Sequence, residues 1–383
     1  MAHYVDPIDG TEYPIDAPRW RSDAGRPLWI APGGGLGRDD IDASTASLWR
    51  YRAALPVEFG HPITLGEGRT PLLERAWGAL GRPLFKLDFL NPTGSFKDRG
   101  TAVMLSYLRD RGVTAVLEDS SGNGGASVAG YGAAGGMGVT IFAPSSTSPS
   151  KIDQVRAYGA TVELVEGPRE ESQHAAIRRS ESSRSGSDAF YASHNWQAFF
   201  LQGTKTLAYE IWEDLGFRAP DNVIVPVGAG SSLLGCWLGF RELASAGQIS
   251  TPPRLFAAQP LNCSPVDAAF SAGSDGPVAR PVSPTIAEGT SIARPLRLPQ
   301  MLHALRDSGG RSVAVPEADI ARALHDLCAG GLFVEPTSAT AAAAYSSLLA
   351  STAITPSETT VVLLTGSGLK AASAVADVVA AVY

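Results

Sequence analysis

The chain has 383 residues, 44% hydrophobic and 18% charged, with a formal net charge of −7. That balance suits a soluble globular enzyme with a full core, in one large domain or two, and excludes a disordered chain. The acidic charge argues against a nucleic-acid partner, which wants a basic face, and no apolar run is long enough to span a membrane.

The segment from Met1 to Asp6 has neither the basic flank nor the apolar stretch of a signal peptide, so the cytoplasm is the expected location. Residues 1–60 are rich in proline and glycine and weakly periodic, and read as an extended lead-in. Within them Ala31 to Arg38 is glycine-rich but lacks the flanking strand and helix of a phosphate cradle, so it reads as a loop. Phe85, Leu87 and Phe89 alternate with Lys86 and Asp88, the period of a strand. Ala102, Leu105 and Leu108 recur at helical spacing, so a helix begins close to Lys97.

Between 103 and 195, short β-branched runs alternate with small-residue helices. Strands are expected at 115–118, 139–142, 161–165 and 189–192, with helices at 125–135, 150–158 and 169–184. The pattern resumes with strands near 223–227, 254–258, 312–315 and 360–364 and helices at 232–246, 317–330, 337–350 and 369–382. Residues 260–300 are proline-rich and read as a long loop. Alternation of this kind predicts an α/β fold with parallel sheets, most economically two lobes with a cleft between them.

One stretch organises the rest: Asn91-Pro92-Thr93-Gly94-Ser95-Phe96-Lys97-Asp98-Arg99-Gly100. Gly94 allows a tight turn, and Thr93 and Ser95 can cap the helix that follows. A lysine in the first turn is electrostatically the wrong way round, since helix N-termini favour anions. The placement makes sense if the amine is needed neutral or as an imine, which makes Lys97 the candidate nucleophile among only five lysines in the chain.

Three further strand-to-helix turns share one chemistry, and in open parallel sheets such turns gather where ligands bind. They are Ser120-Ser121-Gly122-Asn123-Gly124, Gly228-Ala229-Gly230-Ser231-Ser232, and Thr365-Gly366-Ser367-Gly368. Each taken alone has a plain alternative as a tight turn or a helix cap. The Gly228 turn can hold a phosphate on backbone N–H groups and the helix dipole, and with no lysine it is not a nucleotide P-loop. Together with Lys97, a phosphate cradle, an amide and a hydroxyl are what pyridoxal phosphate needs, with Lys97 holding it as a Schiff base.

At these residues the chain resembles the fold-type-II pyridoxal-phosphate enzymes (the tryptophan synthase β family), and more closely the threonine synthases. The likeness extends to Leu65-Gly66-Glu67-Gly68-Arg69-Thr70-Pro71-Leu72, Gly203-Thr204-Lys205-Thr206 with Glu210, Pro226-Val227-Gly228, Val334-Glu335-Pro336 and Thr365 to Lys370. It thus runs through nearly the whole chain, in the family's order. The resemblance implies a two-lobed fold with the cofactor cleft between the lobes. The large domain would be 61–102 plus 196–383 and the small one 103–195, with 1–60 a degenerate cysteine-knuckle region. It implies that Lys97 carries the cofactor and moves the substrate's α-proton, and that Asn123 bonds the ring hydroxyl. Gly228, Ala229, Gly230, Ser231 and Ser232 would take the phosphate, and Ser120, Ser121, Gly122, Asn123 and Gly124 the substrate carboxylate. Thr365 would face the pyridine nitrogen, and Phe96 would pack on the cofactor or, equally, in the core. A homodimer acting on a small amino acid is the family expectation, in elimination or replacement chemistry at the β or γ carbon.

Departures from the family bear on the substrate. Asp6, Asp9, Ser22 and Ala24 stand where cysteines of a zinc knuckle would sit, which implies that no metal is bound. The dispersed Cys236, Cys263 and Cys328, and the histidines, form no ligand-spaced set either. A phosphate-gripping arginine expected after Gly159-Ala160 is replaced by Thr161, and a family asparagine by Ala192. The expected substrate is therefore one other than O-phosphohomoserine. A genuine threonine synthase, a serine/threonine dehydratase- or cysteine synthase-like enzyme, and a non-catalytic cofactor-binding homologue stay open as alternatives. Lesser candidates are Lys151 and Arg156 on a helix, as anion contacts or solvated cations. His194 and Asn195 follow a strand and either line the cleft or form a satisfied structural pair. Glu335 is a cap or packing residue as readily as a catalytic one.

Overall fold

The computed structural model describes residues 2–79, 81–147, 149–182 and 189–381. The first elements are β1 (His3–Val5), β2 (Glu12–Pro14), β3 (Trp29–Ile30), β4 (Leu72–Glu74), β5 (Leu84–Lys86) and α1 (Lys97–Asp110). An alternating run follows: β6 (Ala115–Glu118), α2 (Asn123–Ala134), β7 (Gly138–Pro144), α3 (Pro149–Ala157), β8 (Thr161–Val165), α4 (Arg169–Ser182) and β9 (Phe190–Tyr191). Then come α5 (Ala198–Thr204), α6 (Thr206–Asp214), β10 (Asn222–Pro226), α7 (Ser231–Ser245), β11 (Arg254–Pro260), α8 (Pro265–Ser271) and α9 (Leu298–Asp307). The chain closes with β12 (Arg311–Val315), α10 (Glu317–Ala329), α11 (Pro336–Ala350), β13 (Thr360–Leu363) and α12 (Ala372–Ala380).

Two compact units result. The first comprises Met1–Gly33, Asp42–Glu67 and Lys97–Thr204. It holds a parallel sheet in the order β8-β7-β6-β9 and a small antiparallel sheet, β2-β1-β3. α1 is its central helix: every residue from Asp98 to Leu108 is buried. Truncating Leu105 to Ala there would leave a cavity costing about 2–5 kcal/mol. The segment read from sequence as a lead-in lies largely in this unit, and Tyr4, Leu28, Ile30, Leu48 and Trp49 join the same core as α1. Its strands are two or three residues long, too short to show a period in sequence.

The second unit comprises Gly34–Ile41, Gly68–Phe96 and Lys205–Tyr383. Its sheet runs β12-β11-β10-β13-β5-β4, parallel except for the edge strand β4. β10 and β13 are buried at every position, as a parallel sheet covered on both faces requires. The Ala-rich α11 packs on several of these strands, its Ala339 and Ala341 to Ala344 all buried.

Two expectations are corrected. The strand expected over Phe85 to Phe89 stops at Lys86, and Asp88–Leu90 is a 3-10 turn whose Phe89 N–H bonds Leu364 O at 3.0 Å. The loop expected over 260–300 contains α8 and the start of α9. Pro265 and Pro299 sit in the first turns of those helices, where the missing N–H costs nothing, so they start helices rather than prevent them. Among the described residues no helix is long and apolar enough to cross a membrane.

Candidate active site

In the first unit, Lys97 is the opening residue of α1 and is half-buried. Its Nζ lies 5.6 Å from the centre of the Phe200 ring on α5. Phe200 reaches this place because Gly100 has no side chain: a Cβ there would fall 2.6 Å from the ring. Gly203 makes the reciprocal approach, with room for a Cβ denied by Arg99 O at 2.1 Å. α1 is tied to α2 by Ser127, whose hydroxyl donates to Asp98 Oδ1 at 2.7 Å.

The Ser120–Gly124 turn leaves the carboxyl end of β6 and feeds α2, with Gly122 at the N-cap. Gly124 and Gly125 are both required by close approach. A Cβ on Gly124 would meet His194 Cε1 at 2.6 Å, and one on Gly125 would meet Ser120 O at 1.9 Å. Asn123, the first residue of α2, is half-buried at the helix start. His194 is buried, and its Nδ1 lies 3.1 and 3.2 Å from the two oxygens of Glu118. Burial pushes the Glu118 carboxyl up to about 7, against the pull of two backbone N–H groups and the charges of Lys97 and Arg169. Burial also drives His194 well below the usual imidazole value, and Lys97 and Arg169 push it the same way. Below about pH 7 the contact is thus a neutral hydrogen-bonded pair rather than an ion pair. Neighbouring Asp119, raised by burial and by Glu118, accepts from Tyr191 OH at 3.0 Å.

In the second unit, Gly94 turns the chain at φ +86°, and the stretch that follows is zipped to the segment after β13. Phe96 N donates to Thr365 O and Ser367 N to Gly94 O, both at 2.9 Å. Lys370 Nζ donates to Thr93 O at 2.9 Å. Ser95 does not cap α1: its hydroxyl is buried and has no hydrogen-bond partner among the described residues. Nor does Thr365 cap a helix, since Ser367 takes that role by accepting from Leu369 N. The Thr365 hydroxyl sits 3.3 Å from Ser338 Oγ, which also accepts Thr365 N at 2.9 Å and Gly366 N at 3.0 Å. Glu335 packs on the same turn, where a Cβ on Gly366 would meet its carboxyl at 2.2 Å.

The Gly228–Ser232 turn leaves β10 and opens α7. Gly230 is its N-cap at φ +85°, and a Cβ on Gly228 would crowd Thr290 Cα at 2.9 Å. Ser232 Oγ is buried and has no hydrogen-bond partner among the described residues. An orphaned hydroxyl at a 15-residue helix start, beside two glycines, fits a phosphate.

Other residues singled out from sequence fall elsewhere or serve the fold. Lys151 lies in α3, but its side chain is outside the described ones, and Arg156 on that helix is exposed. Asn195 is half-buried beside His194. Lys86 is a structural cation, with Glu210, Asp214 and Thr70 O at 2.7, 2.6 and 2.7 Å, while Glu210 also accepts Arg69 N and Thr70 N. At the knuckle positions, buried Asp6 takes Arg26 Nε at 2.8 and 3.0 Å, and Arg26 also pairs with Asp9. Sequence reasoning missed Glu118, Ser338 and Phe200. Two acids closing an apolar strand were a usable signal for Glu118, whereas nothing local marks the other two.

Each of these features suits a pyridoxal-phosphate enzyme, and comparison with known proteins shows that family. Residues 63–366 match the family described as pyridoxal-phosphate dependent enzyme, and the chain belongs to that family. Within it the chain is threonine synthase-like. It is 32% identical to a threonine synthase of Methanosarcina acetivorans over 346 residues, covering 89% of this chain and 84% of that one. To a threonine synthase of Methanocaldococcus jannaschii it is 34% identical over 331 residues, covering 84% and 80%. Among solved structures, processed threonine deaminase isoform 2 of Solanum lycopersicum superposes with a TM-score of 0.69 at 22% identity, covering 92% of this chain and 97% of that one. Maize serine racemase gives 0.67 at 22% identity, covering 79% and 88%. The protein is thus a fold-type-II enzyme of the lyase kind whose cofactor is pyridoxal 5'-phosphate.

Proposed function

We propose that the enzyme catalyses elimination or replacement at the β or γ carbon of a small amino acid, with a substrate other than O-phosphohomoserine. The observation that carries the substrate preference is electrostatic. The position expected for a phosphate-gripping guanidinium is the neutral Thr161, the first residue of β8. A second anionic group on the substrate gains little from such surroundings.

In this reading Lys97 is the attachment point and then carries the proton at the substrate's α-carbon. Ser120 to Gly124 hold the substrate carboxylate on turn N–H groups, and Asn123 orients the cofactor ring through its hydroxyl. Gly228 to Ser232 hold the phosphate, with Ser232 Oγ as the side-chain donor. Phe96 packs against the ring. When bound, the cofactor supplies the electron sink for chemistry at the α-carbon. Thr365 offers a neutral hydroxyl where an aspartate would hold the ring nitrogen protonated, which favours elimination and replacement over transamination.

Threonine synthesis from O-phosphohomoserine is the second reading, favoured by the identity of the relatives. The two separate in one assay series, with O-phosphohomoserine set against serine, threonine and their O-acyl and O-phospho forms. Turnover of an uncharged or acylated hydroxy amino acid, with little threonine from O-phosphohomoserine, is expected. Threonine release from O-phosphohomoserine at ordinary enzyme rates would reverse the preference. Purified protein should also show a visible absorption band that is lost in Lys97→Ala.

A further inference from the structure

Behind the Ser120–Gly124 turn stands a carboxyl–imidazole pair that has no part in the chemistry above. Glu118 closes β6 and is fully buried, as is His194 but for a few per cent. Both Glu118 oxygens already accept a backbone N–H, from Asp119 at 3.0 Å and from His194 at 3.1 Å. His194 Nδ1 faces the same two oxygens. If Glu118 is a carboxylate, Nδ1 carries the hydrogen and Nε2 is an acceptor. If Glu118 is an acid, its O–H donates to Nδ1 and the ring hydrogen is on Nε2. The ring lies directly on the turn, since a Cβ on Gly124 would meet Cε1 at 2.6 Å, Nδ1 at 2.7 Å and Ser120 Oγ at 3.1 Å.

We propose that Glu118 and His194 are a positioning pair for this turn, whose proton neutralises the charge behind the substrate-carboxylate subsite and whose loss weakens substrate binding. The proposal rests on the reading of the turn as that subsite. Charged and titratable groups act on the pair from each side: Lys97 from α1, Arg169 from α4, Asp119 beside Glu118, and Tyr191 from β9. From α5 the Phe200 ring lies 5.5 Å from the imidazole. Glu118 titrates near 7 and His194 stays neutral, so the proton that comes and goes belongs to the carboxyl. Raising the pH through that point sets a negative charge behind a subsite for a carboxylate, and affinity falls.

The test is NMR of the cofactor-loaded enzyme with isotope-labelled histidine, the His194 signals being assigned by their loss in His194→Gln. The expected result is a change of imidazole tautomer with a midpoint near 7. No imidazolium should form between about pH 5 and 8. Removing the Lys97 charge in Lys97→Ala should move the midpoint upward, and Glu118→Gln should abolish the change. Kinetically, KM should rise about tenfold per pH unit above the midpoint, while kcat does not follow. Glu118→Gln should remove the rise. An ordinary imidazolium titration of His194, a midpoint indifferent to Lys97, or a KM profile shared by wild type and Glu118→Gln overturns the proposal. The NMR needs no turnover, so a tautomer change in protein that lacks the visible band would sink the cofactor reading and leave the shared proton standing.

Discussion

Lys86 and Lys97 lie close together in sequence and do opposite work. Lys86 closes β5 fully buried, and two carboxylates and a carbonyl meet its three ammonium hydrogens. Its charge is matched, so nothing remains for it to react with. Lys97 opens α1 half-buried, with an aromatic ring nearby, at the end of a helix that disfavours cations. A buried charge surrounded by its full complement of partners serves the fold. One held half-buried at a helix start, with an aromatic ring nearby, is what we propose is kept for chemistry.

Substitution should split the two roles. Lys97→Ala is expected to lower turnover by about 10³-fold or more, while thermal unfolding moves little. Lys86→Met takes the ammonium away from the Glu210 and Asp214 carboxylates, so a stability loss of about 3–5 kcal/mol is expected in denaturant titration. If instead Lys86→Met folded normally and lost only activity, the division between them would be wrong.

The Glu118–His194 pair predicts a pH dependence of stability. In the native state it holds one proton below about pH 7. The unfolded pair also holds one between about 4.5 and 6.5, and two below that, so its contribution to wild-type stability is flat in that window and falls only on further acidification. In Glu118→Gln the native imidazole still refuses a proton while the unfolded one accepts it. Stability should then fall from about pH 6.5 downward, roughly two pH units earlier. Equal acid midpoints in chemical unfolding would contradict the neutral-pair description. The smallest expected effect is at the proposed phosphate cradle, where Ser232→Ala removes one hydroxyl and should weaken cofactor binding about fivefold, or about 1 kcal/mol. Unchanged retention on dialysis would remove Ser232 from the cradle.

Much of this was legible in the sequence because it is local. Gly94, Gly228 and Gly230 mark turns, β-branched runs mark β6, β8, β10 and β13, and the hydroxyls of the turns stand beside the glycines. What escaped depends on partners distant in the chain. Ser338 supports Thr365 from the side of α11, Phe200 finds Lys97 through a gap left by Gly100, and His194 becomes half of a proton-sharing pair only once β6 brings Glu118 to it. Prolines misled over 260–300 because the same residue that breaks a helix interior is welcome in its first turn.

The attachment point of the cofactor is the centre of the account, and it can be located directly. Borohydride reduction of the yellow protein, followed by digestion and mass spectrometry, should place the cofactor-derived mass on the peptide containing Lys97 and nowhere else. The same mass on Lys86, Lys151, Lys205 or Lys370 would contradict it.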